Sequence, residues 1–358
     1  MSLRSLAANL ALSAATLAIP ALASSGAVYT MTNPAGPNAV VVYSRAADGA
    51  LVQSQSVLTG GAGTGVGLGS QGSIALSQDG HWLLAVNAGS NDVTVFSIDA
   101  GTLTAVGTQA SGGVMPISVA VHKDTVFVLN GGGTPNITGF HLTNAGTLVP
   151  IPFVQKVLPG AGPAEVSFNL DGSLVAVTEK TSNTIVVFSI DAGRLVGPFI
   201  SASSGQEPLG FAFGQHDLLI VSEAFNGASN GSAVSSYQAD SGGGLRLITA
   251  SLPTTQTAAC WLVLTGNGQF AYTDNTGAST VSSFTVARDG SLALLNGIAG
   301  STPAGTSPID LALSAGSQYL YSLATGTISE FRVADDGSLA PVGSITGLPA
   351  STVGLVAQ

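Results

Sequence analysis

Apolar and polar positions alternate along this chain in short runs, and the runs return in the same order. VTVFSIDAGTL (93–103) and IVVFSIDAGRL (185–195) are near copies of one another. Elsewhere the wording loosens but the grammar holds. A β-branched run closes on an aromatic at Tyr43, Phe96, Phe140, Phe188, Tyr237, Phe284 and Phe331, at spacings of 53, 44, 48, 49, 47 and 47 residues. Seven or eight residues after each aromatic stands a leucine, from Leu51 to Leu339. A polar turn of Asp, Asn or Gly precedes each leucine, and these residue types tolerate positive φ and close hairpins.

One unit serves for the rest. Its apolar runs predict strands over 165–170, 174–178, 184–189 and 195–200, with Asp171-Gly172 as a turn and Ser182-Asn183 in a connector. Short strands rich in Val, Ile, Phe and Thr, punctuated by Gly and Asp, are all-β signals. Four strands in about 45 residues is the length of a propeller blade. Helical repeats of that length would need long periodic helices, and none is visible. Seven aromatics therefore predict seven blades. The chain ends complete the count: VYTMTN (28–33) matches a second strand that lacks its first, and VGLVAQ (353–358) matches an orphan first strand. The predicted fold is an all-β, seven-bladed β-propeller with four-stranded blades, its ring closed by the C-terminal strand joining the N-terminal blade. Closure of this kind removes exposed edge strands.

The composition agrees with that fold. The 358 residues include 47 Gly, and only 8% are charged. Blades pack face to face, so their strands are apolar on both sides, and the turns take up Gly and Asp. Asp48, Asp79, Asp99, Asp171, Asp191, Asp289 and Asp336 fall in such turns and read as structural. The apolar content excludes disorder. A net charge of −10, from 9 basic and 19 acidic residues, excludes a nucleic-acid partner.

At the N-terminus Arg4, an apolar stretch over 6–19 and Ala21-Leu22-Ala23 predict a signal peptide over 1–23, leaving the propeller over 24–358. The protein is thus expected to be exported, to the periplasm or the extracellular space. No later run of 18 apolar residues appears, so no membrane span is expected, and the protein is expected to act as a monomer. Cys260 is the lone cysteine and cannot form an internal disulfide.

Candidate chemistry follows from the geometry of a blade. Innermost strands line the central channel, and the start of a first strand lies near the end of a second. First-strand starts carry Ser73, Ser118, Glu165, Gly210, Trp261 and Asp310. Second-strand ends carry Asn33, Asn87, Asn130, Glu179, Glu223, Asn275 and Ala324. We single out Glu179 and Glu165 as catalytic candidates, because paired carboxylates can move a proton. Trp261, Asn87, Asn130, Glu223, Asn275 and Asp310 are candidate substrate-binding residues. The acidic rim could also hold Ca²⁺, which prefers hard oxygen ligands. No organic cofactor is expected. The competing reading is that Asn and Glu at strand ends cap backbone groups of neighbouring blades. No metal-binding spacing of the HExxH or CxxC kind appears. His81 and His216 fall on the opposite rim. The glycine-rich stretch 60–65 reads as a connector between blades.

GAGPAEVSFNLDGSLVAVTEKTSNTIVVFSID (160–191) resembles the signature blade of the seven-bladed propeller lactonase family, which includes 6-phosphogluconolactonase and carboxymuconate-cyclising enzymes. VNAGSNDVTVF (86–96) resembles the YVTN repeats of secreted and surface-layer propellers. Gly162-Pro163 match the family's Gly-Pro, and Glu179 matches its glutamate. Ala164 and Glu165 stand where the family typically has Arg and His. The resemblance implies an exported, lactonase-like hydrolase opening a sugar lactone or cyclic ester at the central channel. The alternative is a non-catalytic propeller, a binding or scaffold module of the cell envelope. The corresponding partners are a small-molecule carbohydrate or lactone, or an envelope protein.

Overall fold

A computed structural model describes residues 26–152, 154–191 and 194–358. The expected signal peptide lies outside the described residues. Seven antiparallel sheets stand in chain order around an axis. Blade 2 spans 74–110, blade 3 114–157, blade 4 163–202, blade 5 208–253, blade 6 259–301 and blade 7 308–346. The blade read from the sequence forms with the strands Pro163–Phe168, Leu174–Glu179, Thr184–Asp191 and Arg194–Ala202. All seven marker aromatics sit on third strands and are buried, from Phe96, Phe188 and Phe284 at 0% exposure to Tyr43, Tyr237 and Phe331 at 3%. Each plugs the space between its own blade and the preceding one, as Phe188 does between blades 4 and 3 and Phe331 between blades 7 and 6. In blade 3 the outer strand is split into Leu148–Pro150 and Lys156–Val157, both pairing with the third strand, so this sheet has five strands.

Blade 1 is assembled from both ends of the chain. The strand Gly26–Met31 pairs with Pro37–Arg45 on one side and with Val353–Ala357 on the other. The C-terminal strand is thus the innermost strand of the N-terminal blade, as predicted. Gln358 adds three ties: its side chain accepts from the Tyr29 hydroxyl at 3.2 Å and donates to Gly80 O in blade 2 at 3.1 Å, while Arg45 donates to its backbone oxygen at 3.1 Å. Across the seam to blade 7, the hydroxyls of Tyr319 and Tyr321 donate to the turn carbonyls Ala47 O and Gly49 O.

One irregularity positions the site. Near the start of the inner strand in blades 3 to 7 the register slips, between Pro116 and Ser118, Pro163 and Glu165, Pro208 and Phe211, Ala259 and Leu262, and Pro308 and Asp310. A bulge leaves backbone groups outside the ladder. Buried N–H groups must then find other partners.

Candidate functional site

The freed amides are met by side chains from the preceding blade. Ser118 Oγ accepts from Val166 N–H at 3.2 Å, Glu165 Oε2 from Phe211 N–H at 2.7 Å, and Asp310 Oδ2 from Leu355 N–H at 3.0 Å. These are the first-strand starts aligned in the sequence. Two of the predicted residues, Glu165 and Asp310, therefore do face the channel, and each also joins its blade to the next.

Burial of these carboxyls disfavours their charged forms. It pushes Glu165 well above the usual carboxylate range, and the charge of Asp310 pushes it further, against the Phe211 N–H bond. Asp310 is likewise pushed well up by burial, with Asp274 adding to the effect, although Leu311 N–H and Leu355 N–H both donate to it. Asp274, on the second strand of blade 6, is raised to about 8 by burial while it accepts Trp261 N–H at 2.9 Å.

The second-strand ends lie beside the first-strand starts, as expected: Pro163 pairs with Glu179 and Pro208 with Glu223. They stand one strand farther from the axis, however, and all are fully buried. Each reaches across its own sheet to the third strand. Asn87 donates to Asp92 Oδ1 and Thr94 Oγ1, Asn130 to Asn136 Oδ1 and Thr138 Oγ1, and Asn275 to Thr280 Oγ1 and Ser282 Oγ. Glu179 accepts Gly160 N–H at 2.9 Å and the Thr184 hydroxyl at 2.7 Å; Glu223 accepts Gly205 N–H at 2.8 Å and the Ser235 hydroxyl at 2.6 Å. The connector from the preceding strand runs over each residue so closely that a methyl on Gly61, Gly113, Gly160 or Gly205 would strike Asn87, Asn130, Glu179 or Glu223. Four residues read as candidate site residues thus share one latch geometry, and Asn275 shares its reach to the third strand. Trp261 is 4% exposed and packs with Ala164, Leu209 and Ala224. It packs near the end where the inner strands begin.

Toward the other end, where inner strands turn into second strands, the channel widens into a cavity of about 410 Å³. Glu165 and Asp310 lie at its inner end; Gln78, His122, Phe168 and Asn169 lie toward its mouth. Burial, more than the charge of Lys123, lowers the pKa of His122 and favours the neutral ring. Its Nδ1 faces Gln78 Nε2 at 3.1 Å, so Nδ1 is the accepting nitrogen. Gln78, His122 and Asn169 lie at the opposite end from the strand-start rim, where the sequence carries no carboxylate pair to mark a site. Their signal was position alone: each ends an inner strand or sits in the turn after it. Among the described residues no three His, Cys, Asp or Glu side chains converge as metal ligands. Both oxygens of Glu179 and of Asp310 accept from backbone or hydroxyl donors, and Glu223 Oε1 accepts Gly205 N–H and Ser235, leaving Glu223 Oε2 without a partner, so no Ca²⁺ donor set is assembled among the described residues of the acidic rim.

A family model described as "Lactonase, 7-bladed beta-propeller" matches residues 28–145, from the second strand of blade 1 into blade 3. The chain is a seven-bladed propeller, and over these residues it is similar to that family. No curated protein sequence matches the chain. Solved structures share its fold at low identity. A candidate 6-phosphogluconolactonase from Bacteroides fragilis is 20% identical with a TM-score of 0.72, over 95% of this chain and 100% of its own. A protein from Lactobacillus plantarum is 17% identical with a TM-score of 0.74, over 94% and 99%. A periplasmic gluconolactonase from Pseudomonas aeruginosa is 17% identical with a TM-score of 0.70, over 92% and 98%.

Proposed function

We propose that this protein is an exported hydrolase that opens a neutral sugar lactone or related cyclic ester in the channel cavity, with Glu165 as its general base. One observation carries the reading: Glu165 and Asp310 stand at the inner end of a cavity large enough for a small ring and free of Lys and Arg in its lining. A cavity with carboxyls and no cation disfavours phosphorylated or carboxylated substrates, so the class is neutral. One oxygen of Glu165 is held by Phe211 N–H, which fixes the group. The other takes a proton from the attacking water as it adds to the lactone carbonyl carbon. The same proton goes to the ring oxygen as the C–O bond breaks. A raised pKa makes the carboxylate a stronger base once ionised, so the rate should climb with pH through that pKa. The sequence features of residues 4–23 support export, and a periplasmic gluconolactonase shares the fold.

Purified mature protein, given a panel of neutral and phosphorylated lactones, is expected to open neutral ones. Glu165→Gln should abolish turnover while leaving the fold intact, and Glu179→Gln should not. If no lactone opens faster than in buffer, the hydrolase reading falls. The second reading is then favoured, a binding module of the cell envelope that uses the same cavity without turnover. Its supporting observation is that Glu179, the glutamate matching the family, is consumed by Gly160 and Thr184.

A further inference from the structure

The connector from blade 1 to blade 2, residues 63–73, is the longest link between blades. It leaves blade 1 held by Asn33, which donates to Thr64 Oγ1 and Val66 O. Leu68 then packs against the apolar layers on both sides of blade 3. Ser70 Oγ donates to Ile117 O in blade 3 at 2.7 Å, and Lys180 in blade 4 donates to Gly69 O at 2.7 Å. Gln71 N–H donates to Ala164 O, also in blade 4.

The side chain of Gln71 completes the crossing. Its Nε2 donates to Leu262 O at 3.1 Å and its Oε1 accepts from Leu262 N–H at 3.1 Å, on the inner strand of blade 6. A primary amide offers one donor edge and one acceptor edge, and here both meet the two backbone groups of one residue, as a neighbouring strand would. Gln71 is 7% exposed. Room for it exists because blade 5 has Gly210 at the strand-start position, where a methyl would strike Gln71 Oε1. Gly210 cannot serve the freed Leu262 amide as Ser118, Glu165 and Asp310 serve theirs. Gln71 serves it from across the channel.

We propose that residues 63–73 are a strap bolted across one end of the channel by Gln71. The channel is then a blind pocket. A ligand enters and leaves only by the mouth at Gln78 and Asn169, and Gln71 sets how deep it can go. That last point rests on the channel being the ligand site. The closure itself can be tested with no ligand or activity, so either can fail alone.

Trp261 lies beside the bolt, next in sequence to Leu262, and Trp82 is the other tryptophan. In a Trp82→Phe background, acrylamide quenching reports on Trp261 alone. With the strap in place quenching is expected to be slow. Gln71→Ala should raise the quenching constant several-fold and speed modification of the lone thiol, Cys260. Gln78→Ala, at the opposite mouth, should change neither. Gln71→Met retains the bulk and loses both hydrogen bonds, and it replaces Gln71→Ala if that variant does not fold. Folded variants that quench like their parent overturn the proposal. So does a crystal structure of the unaltered chain with residues 66–72 outside the channel; chain density across the axis there supports it.

Discussion

Asp310 on blade 7 accepts the backbone N–H of Leu355 on the C-terminal strand at 3.0 Å. The bond sits on the seam where the ring closes, and it is one of three, with those of Ser118 and Glu165, that join an inner strand to the next. Its loss together with the strand would leave Gly26–Met31 as a bare edge, and exposed apolar edges aggregate. Deleting 353–358 is therefore expected to lower soluble yield and give high-mass species on size exclusion. A monodisperse truncation that unfolds cooperatively would refute this account of closure.

Stability should fall as pH rises from about 4 to 8. Asp274 is raised to about 8 and Glu330 to about 7, both chiefly by burial, Glu330 with Asp48 nearby. A carboxyl that holds its proton to higher pH when folded stabilises fully below its unfolded value of about 4, and the contribution is lost as pH climbs through the folded value. Turn residues such as Asp79 and Asp171 act in the opposite sense. Their pKa values are lowered chiefly by serine side chains, Ser77 and Ser173, so their contribution is present above pH ~4 and lost on acidification. Thermal melts across pH 5–8 should show a flatter decline for Asp274→Asn than for the parent. Superimposable curves would remove Asp274 from the explanation.

Glu179 and Gly160 should be energetically coupled. Glu179→Ala strands the Gly160 amide and the Thr184 hydroxyl, at a cost of about 1–3 kcal/mol. Gly160→Ala alone drives a methyl into the carboxylate. In the Glu179→Ala background that collision is gone and only the one with Ser182 Oγ remains, so the double variant should be more stable than the sum by about 1 kcal/mol or more. Urea unfolding of the four proteins closes the cycle, and strict additivity would contradict the latch.

Trp261 should behave as a packing residue. Its indole Nε1 is buried with no protein partner, so Trp261→Phe sacrifices no hydrogen bond and should cost no more than about 1.5 kcal/mol. Trp261→Ala leaves a hole among Ala164, Leu209 and Ala224 and should cost about 3–5 kcal/mol. A phenylalanine variant as damaged as the alanine one would assign the indole nitrogen a bonding role.

Blade number, strand order and ring closure were all legible, because seven aromatics, seven turn-leucine pairs and two half-blades at the chain ends each state the repeat independently. The site was legible only in part. Alignment put Glu165, Asp310 and the Asn/Glu strand ends near one rim, and it was right about the rim. It could not distinguish an inner strand facing the axis from a second strand one layer out, since both are apolar runs of similar length. Nor could it show that Ser118, Glu165 and Asp310 answer amides freed by bulges, because a one-residue register slip leaves no composition signal. The strap did leave a trace. The 53-residue spacing from Tyr43 to Phe96 is the longest of the six, and the surplus is the segment that crosses the channel.

The composite first blade also imposes a timetable. Thr30 and Val353, which meet within it, are 323 positions apart. At roughly 5–20 residues per second, a ribosome needs tens of seconds between the two. Throughout that interval the first three strands have no inner partner, and the ring can lock only when residues 353–357 arrive. Any product cut short by premature termination or proteolysis therefore keeps an open seam. Closure thus certifies that synthesis has reached the closing strand, and an unclosed ring offers proteases a loose strand to seize.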